Sequence, residues 1–357
     1  AIENILSAVI KAGVPRDLVA KDTKCTDDPP WTDLEKADHL RRFIDERAVS
    51  RPGSGLVIGG TAWDLTNTKR IQRGELDLVV IDEAGQYSLA NTLAASIAGA
   101  RLLLLGDPAQ LPQVSTGTHP DPVDASALGW LLPEDAAEGR TLPPELGYFL
   151  ERTWRLHPAL VAPLSVLAYD GALLAQPGAG DARHLDGLAP GLHECLVDHH
   201  DNSTASPEEA AAVVDLVRRL LGSTWHDPSE GGGPRPLDQG DVIVVTPYNH
   251  QVRVLENTLA AAGLDQVAVG TVDKFQGQEA PVAILSMAAS SHTDVSRGMG
   301  FLLSRNRINV ALSRGKWAAI IVRSPVLTDF APRSTDELVA LGAFLTLCEA
   351  AHRIELA

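Results

Sequence analysis

The chain has 357 residues, two to three times the roughly 100–200 of a usual domain, so two domains are expected. With 45% hydrophobic and 21% charged residues it is ordinary globular material, and 30 basic against 46 acidic residues leave a net charge of −16, an average that argues against a nucleic-acid or anionic-membrane partner. No run of about 18 apolar residues could cross a membrane, no signal peptide is present, and Cys25, Cys195 and Cys348 stand far apart without a CxxC, which excludes a disulfide framework or cysteine zinc cluster and fits a reducing cytoplasm.

Short apolar runs alternate with longer helical patterns, the pattern of an α/β fold with parallel sheets flanked by helices. In chain order, helices are expected at 2–12 and 34–48. Strands follow at 56–60, 78–81 and 102–105. A loop rich in Pro and Gly covers 133–147, and the domain boundary is placed at 148. Residues 176–206 hold only short apolar groups and read as loop. A helix at 207–221 begins after Ser206, a natural N-cap. Residues 227–240, with Gly231-Gly232-Gly233, read as a flexible linker rather than a phosphate loop, because no strand runs into them and no Lys-Ser/Thr follows. A strand at 242–246, a helix at 249–262, strands at 282–286 and 318–322, and a helix at 335–350 complete the series. The strands are rich in Val, Ile and Leu, as suits strands buried on both faces.

Two stretches carry chemistry. Leu78-Val79-Val80-Ile81 runs into Asp82-Glu83-Ala84, placing two carboxylates at the carboxyl end of a strand, where ligands of parallel sheets bind. An Asp there can hold Mg²⁺, which prefers oxygen ligands and keeps several waters, and a Glu can deprotonate an attacking water. An acidic turn at a strand end is the plainer alternative. The second stretch, Leu102-Leu103-Leu104-Leu105-Gly106-Asp107-Pro108-Ala109-Gln110-Leu111-Pro112, repeats the plan of strand and polar loop. Gly-Asp-Pro alone could be a turn, but that leaves Gln110, a neutral donor and acceptor suited to sensing a terminal phosphate, unexplained.

In this order the two stretches resemble the second and third motifs of superfamily 1 helicases. Residues 151–158 (Glu-Arg-Thr-Trp-Arg-Leu-His-Pro) resemble the fourth motif, 245–251 motif IVa, 270–279 the fifth and 309–315 the sixth. Residues 1–6 look like the tail of motif Ia and 59–61 like motif Ic. The resemblance covers nearly the whole chain and is nearest the superfamily 1B type that includes the nonsense-mediated-decay helicase. Gly-Thr-His-Pro at 117–120, and Asn202-Ser203-Thr204 before Ser206-Pro207-Glu208-Glu209, look like a bacterial subgroup in which the helicase follows a RecB-type nuclease.

The resemblance implies two RecA-like lobes, 1–148 and 149–357, with ATP and Mg²⁺ held between them. It also implies a single-stranded or forked nucleic-acid partner (DNA favoured), 5′→3′ movement, and a nuclease domain in the same polypeptide. By the same resemblance Asp82 binds Mg²⁺, Glu83 is the general base, and Gln110 couples the γ-phosphate to lobe movement. Arg155 and Arg314 reach that phosphate as guanidinium forks do. Trp154 stands where the family has Tyr and could stack on the base, a core aromatic being its plainer alternative. Glu279 contacts the ribose, with Gly277 allowing close approach, and Thr61, Thr246 and Thr271 touch the nucleic-acid backbone.

One element of the family is missing: no G-x-x-x-x-G-K-[ST] phosphate loop occurs in the 357 residues. The chain opens at Ala1, inside motif Ia, and its first Met is Met287, so the expectation is a truncated helicase that alone hydrolyses little ATP. The rival is a catalytically dead, nucleic-acid-binding scaffold derived from a helicase; joint retention of Asp82, Glu83, Gln110, Arg155 and Arg314 speaks against it. His199-His200 reads as a solvated turn, His157 as a structural hydrogen-bonder, and the cysteines as packing residues. The acidity also hides a local exception: 295–328 contains no acidic residue but six basic ones (Arg297, Arg305, Arg307, Arg314, Lys316, Arg323), a patch that could meet a nucleic-acid strand locally.

Overall fold

The structure is a computed structural model that describes residues 2–21, 29–34, 37–111, 119, 122–132, 141–275 and 277–356. Cys25, Gln276, Pro112 and, except for His119, the 117–120 stretch lie outside the described residues. The chain divides into two compact units, Ala1–Pro108 with Pro112–Leu131, and Ala109–Leu111 with Leu132–Ala357. This division falls after Leu131, whereas the boundary expected from the sequence is at 148; residues 133–140 of the intervening stretch lie outside the described residues.

In the first unit, α1 (Ile2–Lys11) buries Leu6 against Val19 and Trp31. Strand β1 (Val19–Lys21) lies between β2 (Thr32–Asp33) and, beyond α2 (Ala37–Ser50), β3 (Val57–Gly59), all parallel. After the short α3 (Ala62–Thr66), β4 (Val79–Ile81), α4 (Leu89–Ser96) and β5 (Leu102–Leu104) form a strand–helix–strand unit whose strands are parallel. Ser88 caps α4 and Ser126 caps α5 (Ala127–Trp130), each hydroxyl accepting a backbone N–H three residues on. The expectation of burial on both faces fails here. Val79 and Ile81 are buried, but Val80, Leu102 and Leu103 are exposed, because this pair has only two strands and is covered on one face among the described residues.

The second unit meets that expectation. Its first parallel pair, β6 (Arg152–Thr153) and β7 (Leu174–Ala175), flanks α6 (Pro158–Ala168). Then come β8 (His184–Leu185), β9 (Gly191–Leu196), α7 (Pro207–Leu220), β10 (Thr224–His226), β11 (Arg235–Pro236), β12 (Val242–Thr246), α8 (Asn249–Ala261), β13 (Ala268–Thr271) and β14 (Ala280–Ser286). Short helices α9 (Met299–Leu302) and α10 (Arg305–Leu312), β15 (Gly315–Arg323), α11 (Thr335–Glu349) and β16 (His352–Arg353) close it. Six strands form one parallel sheet in the order β13-β12-β14-β15-β9-β16. Alternate residues feed opposite cores. Val242, Val244, Val282, Ile284, Ile320 and Val322 join the cluster of α7 and α8, while Ile243, Val245, Ala283, Leu285, Ala319 and Ile321 join that of α6, α10 and α11.

Two segments read as loop or linker are structured. Residues 176–206 contain β9, an inner strand; His193 and Glu194 interrupt its apolar run yet are buried, His193 bonded to the Ala189 carbonyl and Glu194 ion-paired to Arg323 at 2.8 Å. Residues 227–240 contribute β11 to a small antiparallel sheet with β10 and β8, and Arg235 ties them to Asp241 at 2.5 Å.

Candidate functional site

In the first unit, Asp82 and Glu83 follow β4 directly and are exposed. Glu83 adopts φ +56°, a left-handed conformation that costs a non-glycine residue about 1–3 kcal/mol and tends to mark functional positions. The loop is held from behind by the loop after β5: Leu105 N–H donates to the Ile81 carbonyl and Ala84 N–H to the Leu105 carbonyl, each at 2.8 Å. Gly85 and Gly106 make this approach possible. A Cβ at Gly85 would stand 2.5 Å from the Asp107 carbonyl oxygen, and one at Gly106 would stand 2.8 Å from the Ala84 and Gly85 nitrogens. Gly-Asp-Pro is thus the backing of the acidic loop and not an isolated turn.

No group of three or more His, Cys, Asp or Glu that could hold a metal gathers among the described residues. Mg²⁺ needs none, because it keeps several waters and takes one or two carboxylates plus substrate phosphate oxygens. The exposed Asp82 carboxylate at a strand end fits that donor set. Thr61, in the same unit, donates its hydroxyl to Asp64 at 2.6 Å, and its backbone N–H reaches the same oxygen at 2.7 Å at the start of α3.

In the second unit, Arg155 and Glu279, 124 residues apart, form an ion pair of 2.6 Å. Lys316 stands 3.4 Å from Glu279, 3.3 Å from Glu230 and 3.6 Å from Asp227. Partial burial pushes the Glu279 carboxyl up, but Arg155 and Lys316 outweigh it and hold it below its ordinary value. Trp154 is 68% exposed, so it is no core aromatic. The loop carrying both residues is pinned by Arg183, whose guanidinium donates to the Trp154 and Arg155 carbonyls and pairs with Asp227 at 2.7 Å. The Arg183 and Asp227 side chains are 6% and 1% exposed. Burial pushes the Asp227 carboxyl up, yet hydrogen bonds from Ser229 and Arg183 bring it below its ordinary value. Nothing local in the sequence marks this pair, whose members lie 44 residues apart.

Arg314 is buried and donates to the Val310 carbonyl at 2.8 Å and the Gln278 carbonyl at 3.2 Å, which fastens α10 to the Gly277 loop. Gly277 takes φ +76° with open space where a Cβ would stand, so a left-handed turn and free approach both explain it. Thr246 and Thr271 are register partners at the carboxyl ends of β12 and β13. Thr271 is half-buried. Thr246 is wholly buried, and its hydroxyl finds no hydrogen-bond partner among the described residues, so it is not presented to a strand. Gln110 belongs to the second unit, where Asn306 and Asn309 donate to the Gln110 and Ala109 carbonyls at 2.7 and 3.0 Å. The structure therefore gathers Arg155, Trp154, Glu279 and Lys316 in one place, and Asp82 with Glu83 in another.

Other expectations divide. His157 caps α6, accepting from Ala159 N–H at 3.1 Å. His199 is not a solvated turn residue. It is buried between Ser290 at 2.7 Å and Glu209 at 3.1 Å, and Glu209 also accepts from the Ser286 hydroxyl and Ala288 N–H. Cys195 and Cys348 are free thiols that burial pushes up to about 11 and about 12, as packing residues rather than nucleophiles would be. The six-charge patch breaks up: Arg314 and Arg323 are buried, and Lys316 is engaged by three carboxylates.

Residues 140–325 match a family described as an AAA domain, and residues 59–116 match a second family of the same description. The chain belongs to the AAA-domain family. An ATP-dependent helicase of Caenorhabditis elegans is 27% identical over 307 residues, covering 81% of this chain and 18% of the relative. The DNA replication ATP-dependent helicase/nuclease DNA2 of Gallus gallus is 26% identical, over 70% of this chain and 23% of the relative. The 5′-3′ DNA helicase ZGRF1 of Mus musculus is 28% identical, over 69% and 13%. The chain spans less than a quarter of the length of each of these three relatives.

Proposed function

We propose that these residues form the motor of an ATP-dependent helicase that couples hydrolysis to movement along single-stranded nucleic acid, DNA in preference to RNA, and separates a forked duplex. The observation that carries this reading is the exposed Asp82–Glu83 pair on a backed, strained loop, in a family whose named relatives include ATP-dependent helicases. Asp82 would hold Mg²⁺, which neutralises phosphate charge. Glu83 takes the proton of the attacking water. Gln110 senses the terminal phosphate. Trp154 stacks on the base, Glu279 accepts from the ribose with Gly277 leaving room, and Arg155 and Arg314 supply cations to the γ-phosphate. Thr61 and Thr271 serve the nucleic-acid backbone.

The 357 residues contain no phosphate-binding loop string, and by themselves we expect them to hydrolyse little ATP. Cytoplasmic placement and a nuclease domain in the same polypeptide belong to the same proposal; the helicase/nuclease name of the chicken relative supports the nuclease, and no described helix is long and apolar enough to cross a membrane. The test is ATP turnover with and without single-stranded DNA, by the chain alone and by a polypeptide joining it to a phosphate-binding loop. Stimulated turnover in the second only is expected. Single-strand binding without turnover in both would favour the scaffold.

A further inference from the structure

Of the six basic residues between 295 and 328, two are arranged in a way the sequence does not show. The guanidinium of Arg297 lies over the Phe301 ring at 4.0 Å from its centroid, and that of Arg307 lies over the same ring at 4.4 Å. Two guanidinium groups on one ring bring two positive charges near each other, an arrangement that a bound anion would stabilise. A guanidinium stacked on a ring uses its face and keeps its N–H donors, which lie in its plane, for other partners. Arg297 is exposed and forms no ion pair among the described residues, while Arg307 has only Asp273 at 4.0 Å.

The position of the ring adds to this. Phe301 lies 6.0 Å from the ring of Tyr248, two residues after Thr246, and Asp273 lies two residues after Thr271. Thr246 and Thr271 are register partners at the carboxyl edge of the sheet. The arginine pair thus stands beside both strand ends, on a segment free of acidic residues from 295 to 328.

We propose that Arg297 and Arg307, held on Phe301, bind successive phosphates of single-stranded nucleic acid at the carboxyl edge of the second unit's sheet. This rests on the nucleic-acid reading given under Proposed function. The pair fixes the strand and reads no sequence, as backbone contacts do. Phe301 sets the two guanidinium groups in place before the strand arrives, which reduces the ordering cost of binding.

The test is fluorescence anisotropy of a labelled single-stranded oligonucleotide with the protein over a range of salt, alongside thermal melting to confirm the fold. Arg297→Ala with Arg307→Ala is expected to weaken binding at least about 10-fold. The slope of log K against log salt should flatten by about 0.7 for each phosphate no longer neutralised. Arg297→Ala alone, at the exposed position, should flatten it by about half as much as the double variant. Phe301→Leu, which keeps both charges but removes the ring, should weaken binding by less than the double variant. Tight binding by the unaltered protein with unchanged affinity and slope in the double variant would overturn the arginine pair and leave the nucleic-acid reading standing. No binding by the unaltered protein at low salt would overturn both.

Discussion

Glu83 is held in a left-handed conformation, and the two glycines that let the supporting loop close on it are fixed by contact rather than by turn preference. Gly85→Ala forces a Cβ onto the Asp107 carbonyl, so the loops must separate; we expect a loss of about 1–3 kcal/mol, seen as a lower Tm, with Asp82 displaced. Gly277→Ala meets no atom but must hold φ +76°, and should cost about 1 kcal/mol. At this scale the candidate residues Asp82, Glu83, Gln110, Trp154, Arg155, Glu279 and Arg314 were legible because they sit in contiguous motifs. Arg183, Asp227 and Glu209 were not legible. Each acts on a partner tens of residues away, and an isolated Arg or Asp in a polar stretch looks like solvated surface until the fold buries it.

At the scale of elements, apolar runs located the inner strands β12, β14 and β15, while β9 escaped because His193 and Glu194 break its pattern. Their burial is made tolerable by partners on other segments, which no local window contains. The same holds for β11 and the turn before it, read as a linker but fastened by charge. Here Arg183 and Asp227 bind the loop of Trp154 and Arg155 to the small antiparallel sheet. Arg183→Met leaves Asp227 buried without its guanidinium and should cost about 3–5 kcal/mol by denaturant unfolding. Because the Asp227 carboxyl lies below its ordinary value in the folded chain, its contribution is complete above the unfolded pKa of about 4 and lost as pH falls further. Asp227→Asn should therefore flatten the acid limb of the stability profile, and an unchanged limb would remove the pair from that role.

Across the whole molecule, a net charge of −16 says little about where a partner binds. Five of the six basic residues that the sequence offered as one patch serve three ends: Arg314 and Arg323 fasten the core, Lys316 stands among the carboxylates beside Arg155, and Arg297 and Arg307 remain near the surface. A small basic footprint on an acidic body predicts weak binding whose salt dependence is shallow, because few phosphates are neutralised. We propose that Glu83 acts as the base of a nucleic-acid-stimulated ATPase. Steady-state ATP hydrolysis with single-stranded DNA, in a polypeptide joining this chain to a phosphate-binding loop, compares Glu83 with Glu83→Gln. A kcat lower by about 10²–10⁴-fold with oligonucleotide binding retained is expected. Undiminished turnover in Glu83→Gln would contradict it.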